Sequence, residues 1–283
     1  MGLGVFGFFG RLFFGENRAL KAIIAEKDAD IERLSKERLG LLSRLLSLDG
    51  EIEKFKELLR RKKEEAGQME EFEKHYHEKY PTQLIIYQGR AIPNPQGNFQ
   101  DKIKIDIRDF FNPYDAMVKE VAEKLTGKNH NETAYNCLMW IQKNVKYVPD
   151  KENFNLPEFW MFSFETLEAK TGDCEDGAIL LANLMLSAGV PYWRIRLCAG
   201  NVNGGGHAYV VYCRETDNKF CVLDWCYWPN KLKISDRKTH AEERNYSDKD
   251  KNFYVWFSWN VKYSYGKAQA ITETGRDFKR LRA

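Results

Sequence analysis

The most restrictive stretch of this chain runs from Asn17 to Lys79. The first proline of the sequence is Pro81. Within the stretch apolar residues recur at alternating spacings of three and four. Ile24, Ile31, Arg38, Leu45, Ile52, Leu59 and Ala66 fall at the first (a) position of a heptad, and Leu34, Leu41, Leu48, Phe55 and Met69 at the fourth (d), where Lys27 and Lys62 interrupt the apolar run. Charged residues fill most of the remaining positions. A 3.5-residue repeat sustained over this length specifies a coiled coil, expected over residues 16–79 and about 95 Å long if wholly helical. Ile at a with Leu at d favours a parallel pair, and Arg38 at an a position favours a low oligomer number. Gly50 and Gly67 each weaken a helix by about 1 kcal/mol relative to Ala. A solvated single helix and a helical hairpin folded at Asp49 and Gly50 are the competing arrangements.

Residues 1–15 (MGLGVFGFFGRLFFG) are apolar and glycine-rich. The run is shorter than the ~20 apolar residues of a transmembrane helix and lacks the basic start and cleavage site of a signal peptide. Phe6 breaks the myristoylation pattern. The expectation is an adhesive arm that docks on a protein partner or a membrane surface. With no signal peptide or spanning helix, the chain reads as cytoplasmic or virion-associated.

The remainder is different in kind. All seven Trp lie after residue 139, so the aromatic residues are concentrated in a globular back half. The net charge of +3 is near balance and no basic face is clustered, so nucleic acid is not an expected partner. Residues 266–283 form a basic tail. The six Cys are irregularly spaced with no CxxC pair, which points to reduced, buried thiols rather than to zinc at Cys198, Cys213, Cys221 and Cys226. No cofactor is indicated, and no EF-hand loop for calcium is present.

Residues 80–113 carry two strand patterns, at Leu84 to Tyr87 and Ile103 to Ile107, read as a β-arm or linker. From residue 114 to 265 the pattern is helices first, then strands. Helices are expected at Tyr114 to Leu125, at Asn131 to Val145 with Asn131 as N-cap, and at Cys174 to Ser187. Strands follow at Tyr192 to Cys198, His207 to Arg214, Lys219 to Trp228 and Phe253 to Tyr265. This is an α+β domain with an antiparallel sheet.

Three residues within it have the chemistry of a thiol site. Cys174 opens an apolar helix after a Gly-Asp turn, where the partial positive charge of the helix start favours a thiolate. His207 follows Gly204 to Gly206 and enters an apolar strand; the other four histidines lie at the rod's end or in polar loops. Asp224 stands between Leu223 and Trp225. Burying a carboxylate there costs several kcal/mol unless it is paired, and His207 on a neighbouring strand is the natural partner. The order is nucleophile, base, orienter.

GDCEDGA at 172–178, GHAYV at 206–210 and LDW at 223–225 resemble the transglutaminase-like superfamily, in the form of the bacterial and phage transglutaminase-like cysteine proteinases. Phe159, Trp160, Glu165 and Leu167 resemble the pattern that precedes the Cys turn in that family. The resemblance covers residues 115–230. It implies a papain-like core with Cys174 as nucleophile, His207 as general base and acid, and Asp224 as orienter. Trp160 and Gly206 are candidate oxyanion or substrate positions. The implied reaction is thioester-forming acyl transfer on a protein or peptide, with hydrolysis favoured over amine transfer because water is in vast excess. Crosslinking by transamidation is one alternative, and an assembly protein that carries the module is the other.

Overall fold

The structure, a computed structural model, describes residues 5–79, 82–93, 99–227, 229–239, 254–266 and 270–271. The chain divides into two units, Met1–Met69 and Glu70–Ala283. The first unit is helix α1, Val5–Lys79, whose last residues enter the second unit. It passes through Gly50 and Gly67 without a break, so no hairpin forms there; a Cβ at either position would meet only open space. The apolar arm therefore begins as helix at Val5, and the expectation about what its side chains dock against falls outside the described residues. Ion pairs three or four residues apart line α1, among them Lys36 with Glu32 and Arg60 with Glu57 and Glu64. Exposed and screened by solvent, each contributes little to stability. No helix among the described residues is long and apolar enough to cross a membrane.

The second unit begins on the last turns of α1. Phe72 packs on Trp193 and Phe220, with ring centroids 5.0 and 5.7 Å apart. Glu73 takes Lys262 as an ion-pair partner at 2.8 Å and accepts the Tyr192 hydroxyl. The Arg196 guanidinium lies between the rings of Tyr76 and Tyr265, 4.1 and 4.3 Å from their centroids. Then follow β1 (Ile86–Pro93), β2 (Phe99–Asp106), α2 (Ala116–Glu123), α3 (His130–Asn144), β3 (Lys146–Tyr147), α4 (Asp150–Asn153), α5 (Ser163–Ala169), β4 (Thr171–Gly172) and α6 (Cys174–Ser187). The chain continues as β5 (Ile195–Val202), β6 (Gly205–Cys213), β7 (Phe220–Leu223), β8 (Tyr254–Trp259), β9 (Ser264–Gly266) and β10 (Ala270–Ile271).

The central sheet is antiparallel, in the order β7-β6-β5-β8-β9, and α6 packs across β6 and β5. Helix α6 is apolar almost all round because α2, α3 and α5 cover the faces the sheet leaves. A second sheet, β10-β1-β2, joins the same core through Ile85, Tyr87, Ile105 and Ile107. The described residues of segment 80–113 thus belong to the second unit.

Local chemistry moves several expected boundaries. The N-cap of α3 is Asn129, not Asn131, with its Oδ1 accepting the Glu132 N–H at 2.9 Å. Tyr192–Arg194 is a 3-10 turn rather than the start of a strand. The long strand expected at Phe253 to Tyr265 is a hairpin, because Asn260 Oδ1 accepts the N–H groups of Lys262 and Tyr263 and turns the chain. Asp224 ends β7 in the same way, its Oδ1 accepting from Cys226 and Tyr227.

Candidate active site

The start of α6 is built by carboxylates. Asp176, at the third helical position, reaches back to accept the Asp173 N–H at 3.1 Å with Oδ2 and the Met161 N–H at 2.8 Å with Oδ1. The helix start is thereby tied to the aromatic segment that precedes it. Trp225 closes the other side. Its indole N–H donates to the Cys174 carbonyl at 3.1 Å, and its ring fills the space where a Cβ on residue 177 would stand, 2.1 Å away. Gly177 is therefore required for β7 and α6 to approach, and that approach carries Asp224 to the site.

His207 is placed by the β5–β6 hairpin. Its two-residue loop, Asn203 and Gly204, has φ of 53° and 86°. Two successive positive φ angles make the tight turn whose twist matches the strands, and Asn-Gly is the pair that adopts it most readily. The turn sets a register that puts His207 opposite Gly200. His207 Nε2 lies 2.7 Å from Asp224 Oδ2, with both side chains buried. The Tyr227 and Tyr209 rings flank the imidazole at 5.2 and 5.9 Å.

Cys174 is partly exposed. Its thiol donates to Glu175 Oε2 at 3.0 Å, and the N–H of Ala208, the residue after His207, points at its sulfur. Burial pushes the thiol well above its ordinary range, and the Asp173 charge adds to that; the Glu175 and Ala208 hydrogen bonds oppose it. Fold and sequence order thus bring Cys174, His207 and Asp224 to one place.

Trp160 is not an oxyanion donor in this arrangement. Its ring is stacked in the core between Tyr87 and Trp259, with centroids 5.1 and 5.7 Å away, and its indole N–H donates to Glu158 Oε1 at 2.7 Å. Gly206 is exposed on β6 beside the Trp256 ring. Cys198, Cys213 and Cys221 are buried in strands and, among the described residues, join no group of metal-binding side chains.

Sequence reasoning missed the carboxylates behind Cys174. Asp150, Glu158 and Glu175 form one group of oxygens within 4.8 Å of one another, and Asp150, Asp173 and Asp176 form another. None of the five pairs with Lys or Arg among the described residues. Asp150 accepts the Phe159 N–H. Asp150 Oδ1, Asp173 Oδ1 and Glu175 Oε1 are buried and accept from no N–H or thiol, while the Glu175 carboxyl lies within hydrogen-bond reach of those of Asp173 and Glu158, so that a proton on one is shared with the others. Burial raises all five carboxyl groups, Asp150 to about 8 and Glu158 to about 7, and the Asp173 charge pushes in the same direction on its neighbours. The one signal in the sequence was the density of acids beside Cys174; Asp150 and Glu158 are distant in the chain and arrive through α4 and the aromatic segment after it, respectively.

Residues 116–236 match a family described as a transglutaminase-like domain. A curated relative, the UPF0252 protein MJ1282 of Methanocaldococcus jannaschii, is 28% identical over 122 residues, which is 38% of this chain and 32% of that protein. The chain therefore spans only 32% of the length of this relative. Among solved structures, Legionella pneumophila LapG (EGTA-treated) aligns with a TM-score of 0.39 at 16% identity, covering 56% of this chain and 82% of that one. Calcium-bound LapG aligns at 0.35 and 17%, covering 53% and 85%. A structure described as a TGase aligns at 0.29 and 14%, covering 50% and 35%.

Proposed function

We propose that this chain, which carries a transglutaminase-like domain over residues 116–236, is a cysteine-dependent acyl-transfer enzyme that hydrolyses a peptide or amide bond. The observation that carries the reading is the buried His207–Asp224 pair, 2.7 Å apart, beside a cysteine at a helix start. Asp224 accepts from the Nε2–H of His207, which leaves Nδ1 as the basic nitrogen. That nitrogen takes the Cys174 thiol proton, and the thiolate attacks the substrate carbonyl. The C–N bond breaks as His207 returns the proton to the leaving amine, which leaves a thioester on Cys174. Water then attacks, His207 accepts its proton, and the C–S bond breaks to release the acid. An amine in place of water would give transamidation. The N–H groups of Cys174, at the helix start, and of Ala208, which points at the sulfur, suit an oxyanion.

The carboxylate group sets a condition on this chemistry. While Asp173 and Glu158 are ionised, their charge opposes thiolate formation. Either protons shared between the carboxyls or a divalent cation must neutralise the cluster, and the three buried oxygens that accept from no N–H or thiol fit a cation. Asp150, Glu158 and Glu175, whose oxygens lie within 4.8 Å of one another, would hold it. The positive charge would lower the thiol pKa of Cys174. The name of one aligned structure, calcium-bound LapG, gives calcium as the first ion to try.

The test uses the full chain with Cys174→Ala and His207→Ala variants. Peptide cleavage and incorporation of a labelled amine are scored together, with chelator and with added calcium. Neutral iodoacetamide labelling is mapped in parallel. Cys174 should label faster than Cys137 or Cys221, whose thiols burial pushes up to about 12, and this advantage should vanish in His207→Ala. Equally slow labelling of Cys174 with and without His207 would rule out an activated thiol and leave a docking module.

A further inference from the structure

Helix α1 leaves an unpartnered apolar seam between residues 20 and 59, where Ile31, Leu45, Phe55 and Leu59 are each 59–65% exposed. At its centre Leu41, Leu45 and Leu48 follow one another without a charged interruption, with Leu42 at the edge. That section also lies within a gap in the intrahelical ion pairs: they run from Lys27 to Lys36 and resume at Glu53, while Arg44, Asp49 and Glu51 have none among the described residues. Charges without partners on their own helix, beside leucines without cover, fit a second helix.

We infer that the occupant is a second copy of α1, running antiparallel, with the two-fold axis between Leu46 and Ser47. The parallel arrangement suggested by the a and d residue types fails on its layers. In register, it sets Lys27, Arg38 and Lys62 each against its own copy in the seam. It gains Arg44 with Asp49 and Glu51 with Lys56 at the flanks but sets Glu65 against Glu70.

The antiparallel arrangement brings a positions against d positions of the other helix. Arg38 then meets Phe55, Lys62 meets Ile31 and Lys27 meets Ala66, so no two cations share a layer. The long basic side chains lie along apolar surface with their heads in water. Leu45 meets Leu48 at the centre, and Leu41 meets Ile52. On the flanks Arg44 faces Glu51 and Asp28 faces Lys63, each pair occurring twice by symmetry. The one unfavourable flank pair, Asp30 with Glu65, joins residues that already hold local partners in Lys27, Arg33 and Lys62. This self-complementarity is the argument for a second copy rather than a different chain, and it is independent of the active-site reading.

Charge exchange separates the two orientations, because residues 44 and 51 face each other only in the antiparallel one. Sedimentation equilibrium of the full chain should show a dimer. Arg44→Glu alone and Glu51→Arg alone should each weaken it about tenfold, and the double variant should recover the original affinity. In a parallel coil each single change also opposes like charges, at Asp49 or Lys56, and the double variant would be the weakest of the set. That result, a chain monomeric at every concentration, or a trimer would overturn the inference.

Discussion

Asp150 offers the sharpest test of the buried carboxylates. Its side chain is 3% exposed, one oxygen accepts the Phe159 N–H, and the other has no partner. Burial, then the Asp173 charge, raises its pKa from the model-compound value of 3.8 to about 8. Between those two values the folded protein holds a proton that the unfolded chain has released. Stability from this group is therefore complete below about pH 4 and is lost as pH rises towards 8, at ~1.4 kcal/mol per pH unit for one carboxyl. Asp150→Asn keeps the shape and the acceptor for Phe159 but has nothing to titrate. From pH 5 to pH 8 the wild type should lose about 2–4 kcal/mol relative to this variant, the range allowing for sharing of the proton with Asp173 and Asp176. Urea denaturation in chelator at half-unit pH steps measures it. Parallel stability–pH curves for the two proteins would refute the reasoning. If the cluster holds a cation, millimolar calcium should stabilise the wild type at pH 8 and stabilise Asp150→Asn much less.

Other consequences are as direct. Asp224→Asn should leave the fold intact and lower turnover by about 10²–10⁴, since the amide favours the wrong imidazole tautomer; cleavage assays alongside circular dichroism check both halves. Gly177→Ala should destabilise by about 1–3 kcal/mol, because the added methyl would displace Trp225, and should slow Cys174 alkylation with it. Gly204→Ala should cost about 1 kcal/mol in thermal unfolding, since residue 204 has φ of 86°.

How much of this was legible in the chain depends on the range of the forces involved. The α1 helix was, since its period, its length without proline and its near-neighbour charges are properties of adjacent residues. So were the order of helices and strands and the three residues Cys174, His207 and Asp224, each marked by a turn or strand context beside it. Boundaries that hang on one side chain were not: Asn129, Asp224 and Asn260 each end or begin an element by capturing backbone N–H groups that a neighbouring Asn or a continuing strand could equally have claimed.

The sequence by itself determined a long helix ahead of an α+β unit with a cysteine at a helix start, then a histidine and an aspartate on neighbouring strands. Tertiary structure alone decided what surrounds that cysteine. Asp150 and Glu158 lie 24 and 16 positions before Cys174 and reach it only because α4 and the aromatic segment fold against the start of α6. Trp160 goes to the core because Tyr87 and Trp259 flank it from other strands. Desolvation depends on everything packed nearby, near and far in the chain, so no local pattern reports it. The cluster's protonation, and with it the state of the thiol, is accordingly a property of the fold.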